Sequence, residues 1–84
     1  MAPGRTTARN WSVDRDFVEE LSASRRAFVE AEADQVWSRL NGTVAEGVFL
    51  QMVARIGMEV IAKDPKLRAE MWNHVPPSAR GYRP

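Results

Sequence analysis

The chain has no cysteine and only one histidine. Without thiols there is neither a disulfide framework nor a thiolate metal site to reinforce a small fold. The single histidine, His74, cannot by itself build a zinc centre. No segment runs for about 18 apolar residues without charge, so no membrane-spanning helix is expected. The first ten residues also lack the apolar stretch of a secretion signal. Together these absences place the expected protein in the cytoplasm. No catalytic or ligand-binding motif stands out, no internal repeat is visible, and no stretch alternates as a β-strand would.

What remains is an 84-residue chain with 12 basic and 11 acidic side chains, a formal net charge of +1. That length allows one small domain, and below roughly 70–80 residues a single core supplies little more than about 3–5 kcal/mol. Oligomerisation or docking on a partner is therefore in view from length alone. The charge is unevenly spread. Residues 1–11 carry Arg5 and Arg9 with no acid, and residues 75–84 carry Arg80 and Arg83 with no acid. Taking those four from the twelve leaves eight basic against eleven acidic side chains between them, a formal −3. The division expected is a flexible basic arm over 1–11, one helical domain over 12–75 and a flexible basic tail over 76–84.

Helical punctuation is clearest at Asn41-Gly42-Thr43. Glycine past the end of a helix accepts the left-handed conformation that stops it. Thr43 with Glu46 three residues on has the spacing of a capping box, which opens a new helix. Two helices joined so tightly turn back on each other as an αα-hairpin. Ahead of the hinge, Ser12 is a suitable N-cap, followed by Asp14 and Asp16 where the helix dipole favours negative charge. Val13, Phe17, Leu21 and Phe28 keep helical phase, as do Val29, Ala33, Val36 and Leu40. The Ser22-Ala23-Ser24 stretch could divide this segment in two, but the phase runs through it. The expectation is one long helix over about 13–40.

After the hinge a hydrophobic helix is expected over about 44–63. At about 100° per residue, Val48, Phe49, Met52, Val53, Ile56 and Val60 share one face, while Leu50, Ala54, Met58 and Ile61 line another beside Gly57. A surface helix needs one apolar face, so the second stripe calls for a cover. Asp64-Pro65 pairs an N-cap with proline at the first helical position, predicting a short helix over about 65–74 that Val75-Pro76-Pro77 brings to an end. The fold class is all-α, a small helical hairpin or bundle.

Candidate sites weigh lightly beside that pattern. Glu70 and His74 stand four apart, but the inward-facing Glu-x-x-His signature of di-iron bundles needs three; a surface pair is the reading, with no metal and no cofactor. The acids of the first helix read as a solvated face. Arg5, Arg9, Arg80, Tyr82 and Arg83 could grip nucleic acid, with tyrosine between guanidiniums able to stack on a base, yet they make no basic stripe on a folded face. Asn41-Gly42-Thr43 fits an N-glycosylation sequon, but these residues are needed at the hinge. Trp11, Trp37 and Trp72 are numerous for so short a chain, and tryptophans are enriched in binding hot spots.

The leading expectation is a non-enzymatic interaction module that self-associates as a homodimer or serves as an accessory subunit of a larger complex. Its interface would involve Trp37, Leu50, Ala54, Gly57, Met58, Ile61 and Trp72, with Ala54 and Gly57 permitting close helix approach. Small nucleic-acid-binding or regulatory action through the arginine-bearing ends is the alternative.

Overall fold

The computed structural model describes residues 6–80. Its helices are α1 (Arg15–Ala31), α2 (Ala33–Leu40), α3 (Glu46–Lys63) and α4 (Pro65–Met71), followed by a 3-10 turn (Trp72–His74) and a single helical turn, α5 (Pro77–Arg80). No strand occurs among the described residues. The all-α architecture follows the helical periodicity of the sequence, while the boundaries differ in instructive ways.

The first helix begins at Arg15, with Asp14 rather than Ser12 at its N-cap. The Asp14 carbonyl accepts the Val18 amide at 3.2 Å, and the Asp16 carboxylate takes the Phe17 amide at 3.0 Å. The first is the opening bond of the helix's own ladder, and the second satisfies a first-turn donor that would otherwise be orphaned. The long segment does divide, but at Glu32 and not at the serines. Glu32 leaves helical geometry at φ −116° and ψ 32°. Its amide still reaches the Phe28 carbonyl at 2.8 Å, and its carbonyl accepts from Val36 at 2.9 Å. These two bonds flank the turn, and the helical run is interrupted at Glu32, where α1 ends and α2 begins. Beyond the bend, Val36 joins the same apolar cluster as Phe28 and Phe49.

At the hinge both Asn41 (φ 59°) and Gly42 (φ 91°) adopt positive φ. Their amides reach back to the Val36 carbonyl, the Gly42 bond at 3.1 Å. The capping box does not form. Glu46 is the first residue of α3, Ala45 sits at its N-cap, and no side chain caps that end. Ser22 of α1 instead donates its hydroxyl to the Glu46 carboxylate. The start of α3 is fixed by apolar contact. Val44, one residue before the N-cap, and Phe49, four into the helix, are both buried in one cluster, which is the spacing of a hydrophobic staple.

The Asp64-Pro65 restart behaves as the sequence implies. Asp64 caps α4 by accepting the Lys66 amide at 2.9 Å, with Pro65 in the first turn. Arg68 then reaches back to the Ile61 and Ala62 carbonyls at 3.1 and 2.9 Å, satisfying acceptors left open at the end of α3.

The core these elements enclose is very small. Among the described residues only Val36, Val44 and Phe49 are buried, with Leu21, Phe28 and Val29 packed partly against them. Phe28 and Phe49 meet at 5.5 Å between ring centroids, tilted by 51°. Arg25 bridges the crossing, donating to the Val44 carbonyl at 3.2 Å. Helix α1 approaches α2 and α3, and α3 approaches α4, but α4 comes close to neither α1 nor α2 among the described residues. The helices thus form an open chain around one corner. The radius of gyration is 15.6 Å, where a compact domain of this length has about 12 Å.

Candidate functional site

The exposed apolar surface centres on α3. Along this helix Leu50, Ala54, Gly57 and Ile61 are half-buried. They recur at spacings of four, three and four, so they share one face. The row that stays exposed is Val48, Met52, Ile56 and Val60, spaced by four, at 40%, 39%, 68% and 45% exposure. Val53 beside it is 49% exposed. Four residues at that spacing make one continuous ridge, inclined to the helix axis. It spans thirteen residues, about 18 Å from end to end at about 1.5 Å per step.

A shallow groove of about 250 Å³ flanks this ridge, lined by Val48, Gln51, Met52 and Arg55. Arg55 and Glu59 stand on the same flank, four apart. Neither makes an ion pair among the described residues.

The residues singled out from the sequence are distributed as follows. Leu50, Ala54, Gly57 and Ile61 lie together on the half-covered side of α3, while Met58 is separate and exposed at 64%. A Cβ placed on Gly57 would touch nothing within 4 Å, so no neighbour within the chain uses that space. Trp37, on α2, lays its ring over Gly42, where an added Cβ would stand 3.0 Å from it. The residue as a whole remains 70% exposed. Trp72, on the 3-10 turn, is 78% exposed. The two tryptophans sit on elements that do not approach each other.

Of the arginine-bearing ends, Arg9 is exposed in the stretch before α1, and Arg80 is the last residue of α5. Arg5, Tyr82 and Arg83 lie outside the described residues.

Periodicity puts Val48, Met52, Ile56 and Val60 on one face with Phe49 and Val53. Of that face Phe49 is buried against Phe28 of α1, while Val48, Met52, Ile56 and Val60 form the exposed ridge. What periodicity could not mark is the direction in which the hinge sends α1, and that decides which part of the face is covered. The core role of Val44 was also missed. Its signal was present in the sequence, as a valine five residues before Phe49 across a helix start.

Other features are sparse. His74 Nε2 lies 3.6 Å from a Glu70 carboxylate oxygen on a wet surface, with both side chains more than half exposed. A cleft of about 640 Å³ separates the start of α1 from the 3-10 turn and Pro76-Pro77, with Asp16 and Glu20 on one wall and Asn73 and His74 on the other. No group of His, Asp and Glu among the described residues has the arrangement of a metal site. No described helix is long and apolar enough to cross a membrane. Comparison with protein families, with curated proteins and with solved structures finds no match to this chain.

Proposed function

We propose that this protein is a non-enzymatic interaction module that works by self-association, with the outward ridge of α3 buried in a homodimer. The observation that carries this reading is the contrast between three buried residues and an uninterrupted apolar ridge on the central helix. A fully buried Val, Ile or Met contributes roughly 1.5–3 kcal/mol relative to leaving it in water. Much of that gain is still open to side chains that are 39–68% exposed.

The surface area argues in the same direction. The accessible surface is 7894 Å², where a compact monomer of 9.5 kDa presents about 5,000 Å². Part of the excess belongs to described residues outside the helices, such as Arg9 and Trp11, which are exposed. An obligate pair buries about 2,000 Å² or more in total, about 1,000 Å² from each chain, which that excess can supply. A cytoplasmic setting belongs to the same proposal, since a chain without cysteine gains nothing from an oxidising compartment.

Light scattering over a dilution series tests it. The expected mass approaches twice 9.5 kDa at tens of micromolar, and Ile56→Glu returns it to the single-chain value with helicity unchanged. A wild-type chain that stays at the single-chain mass throughout contradicts self-association and assigns the ridge to a different protein, as in an accessory subunit.

A further inference from the structure

We infer that the second copy docks antiparallel, α3 against α3, across a two-fold axis near Ile56; this rests on the self-association proposed above. The ridge of Val48, Met52, Ile56 and Val60 and the row of Gln51, Arg55 and Glu59 beside it both run at four-residue spacing. The groove lined by Val48, Gln51, Met52 and Arg55 lies between these rows. When rows of this kind interdigitate, the ridge of one helix enters the groove of the other. A two-fold contact uses the same patch on both copies, and one helix here supplies both the ridge and the groove.

The direction follows from the flanks. Arg55 and Glu59 occupy one flank of the ridge, and Val53 with Gly57 the other. An antiparallel two-fold pair sets like flanks together. With the axis near Ile56, Arg55 of each copy falls opposite position 57 of the other, about 3 Å along the helix from the second copy's Glu59 and equally far from its Arg55. The two Arg55–Glu59 attractions outnumber the one Arg55–Arg55 repulsion. Met52 then lies against Val60 of the second copy, and Ile56 against its own equivalent. A parallel pair would set the charged flank against the apolar Val53 flank and leave both charges unpaired, an arrangement that disfavours that orientation. Arg55 and Glu59 are free to make these contacts, since neither has an ion-pair partner among the described residues of its own chain. The exposure of Met52 and Val60 also means that neither is committed to the core.

The absence of native cysteine makes crosslinking a clean test of orientation. Met52→Cys and Val60→Cys proteins are prepared separately, checked for wild-type helicity, and treated with a short bis-maleimide alone and mixed. The mixture is expected to give the crosslinked heterodimer, and each variant alone little product. Efficient linkage of Met52→Cys to itself shows a parallel pair and overturns the inference. A dimer by light scattering in which neither sample crosslinks places the interface elsewhere, overturning the inference while leaving self-association intact. A monomer by light scattering removes the proposed function itself.

Charge exchange gives a second reading that does not depend on linker chemistry. Arg55→Glu alone brings two like-charged contacts and is expected to weaken dimerisation by about tenfold. Adding Glu59→Arg restores opposite charges and returns the affinity close to wild type. A double variant no tighter than the single one overturns the antiparallel pairing.

Discussion

At the scale of single residues, Gly42 carries the tightest constraint. Its φ of 91° is a conformation that side chains rarely adopt, and the ring of Trp37 stands 3.0 Å from where a Cβ would be. Gly42→Ala therefore meets both backbone strain and a clash. A loss of about 1–3 kcal/mol is expected from the strained backbone position, read by urea unfolding, together with a change in tryptophan fluorescence as Trp37 is displaced. An unchanged midpoint would mean the hinge has another conformation. The need for glycine here was legible in the sequence, because helix-stop chemistry is local. The tryptophan that closes over it was not, because that contact depends on how α2 ends, with Asn41 also in the left-handed region.

At the scale of elements, the start of α3 separates two ways of beginning a helix. Thr43 and Glu46 have the capping-box spacing, yet no side chain caps the helix, and Glu46 accepts from Ser22 of α1. Val44 and Phe49 are both buried. Thr43→Ala should therefore shift stability by no more than about 0.5 kcal/mol, as a surface substitution does. Val44→Ala removes two buried carbons and should cost about 2 kcal/mol. Thermal or urea melts of the pair decide between cap and staple, and the reverse ranking would restore the capping box. The Asp64-Pro65 restart was legible because cap, proline and first turn are neighbours in sequence. The bend at Glu32 was not legible. No glycine or proline marks it. It brings Val36 into contact with the core, a tertiary demand absent from the local sequence.

At the scale of the whole molecule, the four main helices enclose one small corner and leave the central helix bare along its outward ridge. The sequence made both apolar stripes of α3 visible. Which part of the Val48–Val60 face meets α1, at Phe49, and which part stays open is set by the path of residues 41–45, through two consecutive positive-φ residues and the buried Val44, and periodicity carries no information about that path. In the proposed dimer the ridge of Val48, Met52, Ile56 and Val60 is covered when two chains meet. Amide hydrogen exchange, followed from dilute to concentrated protein, tests association and its location in one measurement. The expected result is protection over residues 48–60 that rises with concentration while that of residues 15–20 in α1 stays unchanged. Protection over 48–60 that is independent of concentration would contradict the claim.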